Sequence, residues 1–338
     1  MRPIYYVATE DIFSMGFLSK LIRFLVAPIP IKKQTTDIAA VMTCIRVAKE
    51  GGSIAIAPEG NRTYSGKTEY MAPVIASLAK KMKLPIALYR IEGGYGAEPS
   101  WTDKVRKGKM RVYVSRVIEP EEYEAMSNDE LFAIISEGLC VNEANSEGLY
   151  KSRRRAEYLD RAIYVCPSCG MSVFKSHKNE ITCLTCQKSI HSGEDKKLTG
   201  VGFEFPFTYV NDWYEYQNGY VNSFDPNTAT DEPLFTDDAS LFEVVVYKKK
   251  YRVYKSCKLK LYGDRITVQS EGDSEITWKF SDINALAVLG RNKANIYYGD
   301  KVYQIKGDKH FNALKYVNLY HRFKNVEKGD VHGKFLGL

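Results

Sequence analysis

A chain of 338 residues is longer than one hydrophobic core usually serves, so two or three folding units are expected. Hydrophobic residues make up 44% and charged residues 26%, a balance that excludes wholesale disorder. The formal net charge of +7 favours anionic partners, whether phospholipid head groups, phosphorylated metabolites or nucleic acid.

Of seven cysteines, four stand in two close pairs while Cys44, Cys140 and Cys257 are scattered. This usage fits a reducing compartment better than a disulfide framework. The first ten residues have no uninterrupted apolar core, so no secretory leader is read there. The most lipophilic stretch, Met15 to Ile31, is broken by Lys20, Arg23, Pro28 and Pro30, short of the roughly 20 apolar residues a spanning helix needs. A cytoplasmic protein is expected, with any membrane contact peripheral.

Residues 1–142 alternate strand-like and helix-like runs. Ile4 to Ala8 reads as a strand; Ser14 to Val26 reads as a helix with Met15, Leu18, Leu21, Ile22 and Leu25 on one face. A second helix, about Thr36 to Glu50, is stopped by Gly51 and Gly52. Ser53 to Ala57 follows as a short strand, then a helix over Pro73 to Lys83, strands at Pro85 to Ile91 and Met110 to Ile118, and a helix from Ser127. Ser127 with Glu130 has the form of a capping box. The alternation predicts an α/β domain with a mixed, largely parallel sheet and flanking helices.

Residues 143–200 carry a basic run (Lys151, Arg153, Arg154, Arg155) and then the cysteine pairs, as a small separate module. Residues 201–240 read as an aromatic and polar connector. Residues 241–326 show short strands at hairpin spacing, including Lys258 to Tyr262, Arg265 to Gln269, Glu275 to Phe280, Asn295 to Tyr298 and Lys301 to Ile305. Turn signals sit at Gly263-Asp264, Glu271-Gly272 and Gly299-Asp300. A last helix, Asp308 to Phe323, aligns Phe311, Leu314, Val317 and Tyr320. A small antiparallel β-barrel closed by that helix is expected.

Cys166, Cys169, Cys183 and Cys186 form Cys-x2-Cys, thirteen residues, Cys-x2-Cys, with Pro167 and Gly170 in the first knuckle. Each turn presents two thiolates to one tetrahedral ion, and four thiolates leave no open position, so a structural zinc ribbon is expected rather than a catalytic metal. Plain thiols or two redox pairs are the alternative. His177 and His191 lie near but are superfluous to a complete cysteine set.

The stretch Gly51 to Thr63 ends a buried strand at Pro58, turns through Gly60 and offers Glu59 and Arg62 at a sharp corner. A guanidinium there can grip a phosphate through two parallel hydrogen bonds. The alternative is a surface ion pair at an ordinary strand end.

Pro58-Glu59-Gly60-Asn61-Arg62-Thr63 resembles the Pro-Glu-Gly-Thr-Arg-Ser block of the glycerolipid acyltransferases, of the 1-acyl-sn-glycerol-3-phosphate type. Ile29-Pro30-Ile31-Lys32-Lys33 looks like that family's Ile-Pro-Val-Asp-Arg segment, with Lys33 where an arginine usually supports phosphate. Leu84-Pro85-Ile86-Ala87-Leu88 resembles its Val-Pro-Ile-Val-Pro strand, and Arg2 to Ala8 with Phe17-Leu18 its preceding strand and helix. The resemblance covers about residues 1–140. It implies an acyl chain passing from an acyl thioester, acyl-CoA or acyl-ACP, to lysophosphatidic acid, with Glu59, Gly60, Arg62 and Lys33 seating the acceptor phosphate. The implied partners are lysophosphatidic acid or a related glycerophospholipid, the anionic inner face of the cell membrane, and acyl carrier protein.

The family also needs a His-x4-Asp pair, whose histidine takes the hydroxyl proton. None of His177, His191, His310, His321 and His332 has an aspartate five positions on. No catalytic residue is therefore assigned, and efficient acylation by these residues is not expected. An N-terminally shortened enzyme is favoured over a selected non-catalytic binder, because a domain beginning at an internal strand loses part of its core. The acyltransferase-like region, zinc ribbon and Trp213 connector together resemble a group of bacterial acyltransferase homologues, and the C-terminal unit looks like a PH or GRAM-type module. Lys248, Lys249, Lys250 and Arg252 either face acidic lipid or form a solvated strand edge, the latter being the usual role of such runs. A non-catalytic phospholipid-binding or scaffolding protein is the first rival. A zinc-ribbon nucleic-acid protein is the second, disfavoured because the 24 tyrosines come with no recognisable nucleic-acid motif beyond the ribbon.

Overall fold

The computed structural model describes residues 3–9, 12–13, 16–31, 37–60, 62–68, 70–245 and 250–330. The N-terminal region contains β1 (Ile4–Thr9), α1 (Phe17–Val26), β2 (Ile29–Ile31), α2 (Ile38–Lys49), β3 (Ser53–Ala55), α3 (Val74–Met82), β4 (Ile86–Glu92), α4 (Gly94–Ala97), β5 (Arg111–Ile118), α5 (Pro120–Tyr123) and α6 (Asn128–Leu139). β1 lies between β2 and β3, parallel to both, with Val7 opposite Ile29 and Tyr5 opposite Ile54. β4 and β5 pair antiparallel, as a separate two-stranded sheet. The mixed α/β character follows the expectation, but the strands divide between two small sheets. β4 reaches β5 through α4 and a loop, residues 93–110.

Local chemistry sets the helix ends. The Asp37 carboxylate caps α2 by accepting from the Ala40 N–H at 3.0 Å. At the other end Gly51 takes φ +81°, its N–H bonds Ala48 O and that of Gly52 bonds Val47 O, a Schellman stop. Both arms of the Ser127–Glu130 capping box are formed. α1 departs from expectation. Its buried residue is Ser19, whose hydroxyl donates to Ile12 O at 2.6 Å, while Leu18, Leu21 and Leu25 are exposed and Phe17 and Phe24 are more than 80% exposed. Met15 lies outside the described residues.

The middle region is built from β6 (Val165–Cys166), β7 (Gly170–Met171), β8 (Phe174–His177), β9 (Glu180–Cys183), β10 (Ser189–Ser192) and β11 (Leu198–Gly200). The stretch expected to be a connector holds a fourteen-residue helix, α7 (Val210–Ser223), that buries Trp213, Tyr214, Gln217 and Val221. Trp213 Nε1 donates to Val165 O, while Gln217 accepts from the Tyr164 and Val165 N–H groups and donates to Ala162 O. These bonds satisfy the backbone just before the first cysteine knuckle.

The C-terminal strands are β12 (Phe235–Val244), β13 (Tyr251–Leu261), β14 (Arg265–Gln269), β15 (Ile276–Lys279), β16 (Ala285–Leu289), β17 (Lys293–Tyr298) and β18 (Lys301–Gly307), followed by α8 (Leu314–Glu327). They form one antiparallel sheet in the order β15-β14-β13-β12-β18-β17-β16. Register shifts near Leu241 help it curl. Its two edges, β15 and β16, do not pair, so the expected closed barrel is an open half-barrel. α8 fills the mouth: Leu314, Val317 and Leu319 are fully buried, Tyr320 packs edge-on to Phe280, and its hydroxyl donates to Ile283 O.

One buried cluster runs from Tyr64 and Trp101 through Leu159, Tyr164, the cysteine knuckles and Trp213 into Leu259, Phe280 and Val317. The cysteine module and the curled sheet therefore share a core. The N-terminal region has smaller clusters of its own, around Leu88, Ile118 and Leu131, and around Ile29, Cys44 and Val47.

His321 in α8 has its Nε2 enclosed and unpartnered among the described residues. Burial, reinforced by Lys328, pushes its pKa from 6.5 down to about 4. The unfolded chain thus binds one more proton than the folded chain between those values. Stability is full above about pH 6.5 and falls by roughly 3 kcal/mol as pH drops through the folded value. His321→Gln should flatten this fall in urea unfolding at pH 7 and pH 4.5; an unchanged fall would show that other groups dominate.

Candidate functional site

The cysteine pairs meet as expected. Cys166 pairs with Gly170 across β6 and β7, and Gly170 at φ +74° turns the knuckle where a Cβ would lie 2.4 Å from the Tyr220 hydroxyl. Cys183 ends β9, and the turn after it closes by Gln187 N–H to Cys183 O. The four Sγ atoms lie within 4.8 Å of one another, with Cys166 and Cys186 at 3.8 Å. A tetrahedral ion with bonds of about 2.3 Å holds its ligands about 3.8 Å apart, so the donor set fits a metal ion. Burial pushes the Cys166 thiol up to about 12. Burial acts upward on Cys183 too, but the Cys186 and Thr185 N–H groups and the neighbouring thiols bring it down to about 7. His177 is exposed and His191 faces Glu180 at 4.0 Å; neither joins the thiols.

The second candidate is the corner after β3. Pro58 and Glu59 occupy the centre of a turn closed by Gly60 N–H to Ala57 O, and Gly60 takes φ +74°. Thr63 then accepts from the Ser65 and Gly66 N–H groups and fixes the following bend. Ser100 Oγ donates to Thr63 O and ties the corner to the loop between β4 and β5. Ala57, Gly60, Arg62, Tyr64 and Ser100 line a cavity of about 370 Å³, whose remaining wall is Gly290 and Arg291 from the turn between β16 and β17. The Arg62 side chain is half exposed at 52%; its Nη1 lies 3.3 Å from Glu98 Oε1 and also donates to Glu98 O. Glu59 is partly buried and not among the lining residues. Lys33 lies outside the described residues, as do Asn61, Lys248, Lys249 and His332.

Glu98 and Asp103 connect this corner to the rest of the molecule. Glu98 also receives Arg291 Nη2 at 2.5 Å, and Asp103 receives Arg291 Nη1 at 2.9 Å. Arg161, 2% exposed, forks onto both Asp103 oxygens at 2.8 and 3.1 Å and donates to Trp101 O and Lys309 O. The Arg161 hydrogen bond, with further help from Arg291, holds the Asp103 carboxyl below the usual carboxylate range. None of Glu98, Asp103, Arg161 or Arg291 stands in a local motif; Arg291 is 229 positions from Arg62, and sequence spacing carries no signal for their meeting.

Other basic residues divide. Arg155 is structural, its guanidinium donating to Ser152 O and Ser192 O, whereas Arg153 and Arg154 are exposed. Lys250 donates to Gln304, and Arg252 lies over the Phe242 ring. His310 Nδ1 contacts Asp160 Oδ2 at 2.7 Å across 150 positions, a pairing no His-x4-Asp search finds. Asp160 is 4% exposed, and burial raises its pKa.

Residues 1–90 match the family model described as Acyltransferase. Over 137 residues the chain is 23% identical to a 1-acyl-sn-glycerol-3-phosphate acyltransferase of Bacillus subtilis (strain 168), a match covering 40% of this chain and 65% of that relative. The N-terminal region is thus similar to the acyltransferase family. The chain spans just under two thirds of the relative's length. No helix among the described residues is long and apolar enough to cross a membrane.

Arg161→Met should cost about 3–5 kcal/mol, because it leaves Asp103 and two carbonyls without their buried donor. Urea unfolding followed by tryptophan fluorescence measures this. A loss below about 1 kcal/mol would mean that water takes over those contacts.

Proposed function

We propose that this protein acts on lysophospholipids as an acyltransferase homologue, with the corner at Glu59, Gly60 and Arg62 seating the phosphate of a 1-acylglycerol-3-phosphate acceptor. The observation that carries the reading is a guanidinium at the corner after β3, inside the family-matched region, lining a cavity. Lys33, two residues beyond β2, belongs to the same proposed seat. The acyl donor in this reading is a thioester, acyl-CoA or acyl-ACP, and the setting is phospholipid biosynthesis at the inner membrane face. α1 supplies the membrane contact: Phe17, Phe24 and Leu25 form an exposed apolar flank, with Lys20 and Arg23 exposed on the same helix to meet anionic head groups. The C-terminal half-barrel is assigned a PH or GRAM-like supporting role.

Hydroxyl activation is not assigned to any residue, since none of the five histidines belongs to a His-x4-Asp pair. This absence favours a second reading, phospholipid binding without acyl transfer. The two separate in one assay. Transfer of labelled acyl groups from acyl-CoA or acyl-ACP to lysophosphatidic acid supports the enzyme, while phosphatidic-acid-dependent flotation on liposomes without transfer supports the binder. In either case Arg62→Ala should reduce retention on lysophosphatidic-acid liposomes about tenfold, and Arg62→Lys less, because lysine keeps charge but not the two-pronged grip. Equal retention of parent and Arg62→Ala would sink the phosphate seat.

We further propose that Cys166, Cys169, Cys183 and Cys186 hold one structural zinc ion. The ion would supply folding energy and no chemistry, because four thiolates complete its coordination. Emission spectroscopy of the purified chain should find one zinc per molecule, absent in a Cys183→Ser, Cys186→Ser variant. Chelation should lower the thermal midpoint of the unit containing α7 and the curled sheet, since they share its core. A zinc-free chain with an unchanged midpoint would reject the assignment.

A further inference from the structure

We infer that Arg291, on the turn between β16 and β17, is the second guanidinium of the anion pocket, so that a phosphomonoester is gripped jointly by the acyltransferase region and the C-terminal sheet. This rests on the proposed seat at Arg62 and extends it to a residue far outside the matched residues 1–90.

Arg62 and Arg291 line the same cavity and converge on the same oxygen. Glu98 Oε1 lies 2.5 Å from Arg291 Nη2 and 3.3 Å from Arg62 Nη1. Two like charges brought this close need an anion between them, and in the described contacts Glu98 supplies it. Three guanidiniums (Arg62, Arg161, Arg291) meet two carboxylates (Glu98, Asp103), leaving one positive charge in excess. Arg161 is buried with its donors committed to Asp103, Trp101 O and Lys309 O, so the excess is available at the two more exposed arginines, 52% for Arg62 and 34% for Arg291. Among the described residues, Nε and Nη2 of Arg62 and Nε of Arg291 have no protein partner, and both residues line the cavity.

The pocket's shape limits what it takes. Its volume of about 370 Å³ suits a phosphate with its glycerol and not a full-length acyl chain as well. Gly60 and Gly290, at φ +74° and +64°, bring two turns to the lining of the space without a Cβ. The Tyr64 ring, 2% exposed, and Ala57 give the space an apolar wall, which strengthens charge pairing inside it. Two guanidiniums favour a phosphomonoester dianion over a phosphodiester monoanion. In this arrangement Arg291 is a specificity residue: it selects acceptors whose phosphate ends the molecule.

The test is calorimetric titration of the full chain with hexanoyl lysophosphatidic acid, below its aggregation concentration, and with the phosphodiester hexanoyl lysophosphatidylglycerol. Parent, Arg62→Ala, Arg291→Ala, Arg291→Lys and the double alanine variant are compared, each with its melting curve. Each single alanine should weaken monoester binding about 10- to 100-fold, and the double variant by less than the product of the two, because both hold one phosphate. Diester binding should be weak throughout and change less than about threefold in Arg291→Ala. Arg291→Lys should melt near the parent yet bind the monoester at least fivefold more weakly; this arm decides if Arg291→Ala does not fold. If Arg62→Ala loses binding while the Arg291 variants stay within threefold of the parent, the role of Arg291 is overturned and the Arg62 seat stands. Equal loss of monoester and diester in the Arg291 variants overturns it as well, since that marks a merely structural effect. If the parent does not bind the monoester, or no arginine variant changes its binding, the inference and the seat fall together.

Discussion

The buried guanidinium of Arg161 is the constraint on which the arrangement of the candidate sites depends. Taking an arginine out of water is costly unless every donor finds a partner. Here the partners come from three separate places: the loop after β4 through Trp101 and Asp103, the approach to α8 through Lys309, and the Tyr158 ring beneath the guanidinium at 4.0 Å. Moving any one of these segments would strand a charge. The same carboxylate that satisfies Arg161 also binds Arg291, so the position of the half-barrel relative to the corner at Arg62 follows from one residue's need for partners.

Around that node the chain is unevenly built. The cysteine module, α7 and the half-barrel share a continuous core that includes Trp101, Trp213 and Phe280, and Gln217 and Trp213 bind the backbone at the first knuckle directly. The N-terminal region instead rests on small clusters and leaves large apolar side chains in solvent along α1 and on β4 and β5, among them Phe24, Tyr89 and Val112.

What the sequence made legible was local. The two Cys-x2-Cys turns, the glycine stop of α2, the Ser127 capping box and the turn at Pro58 to Gly60 each depend on neighbours a few positions apart, and each appears in the structure. α7 escaped notice although Val210, Trp213, Tyr214, Gln217 and Val221 keep helical spacing, because Gln217, buried with its hydrogen bonds satisfied, interrupts the apolar signal. β16 escaped for the opposite reason: Ala285 to Leu289 is buried on both faces and shows no alternation to read. The partners of Arg62 were beyond reach, since Glu98 follows an unremarkable Gly-Ala pair and Arg291 arrives from another sheet. Single-chain periodicity also cannot tell which side of α1 faces protein; a serine hydroxyl and the Ile12 carbonyl decide it.

The half-barrel's open seam has a consequence for how the chain coexists with its own copies. Strand β16 has a hydrogen-bonding partner on one side only, and an unpaired margin is a template onto which a foreign strand can add. α8 lies beside that margin, with Tyr320 anchored to Ile283 just ahead of it. The terminal helix is thus a guard against self-association as well as a plug for the core. A polypeptide ending before Leu314 would offer its neighbours a ready place to polymerise.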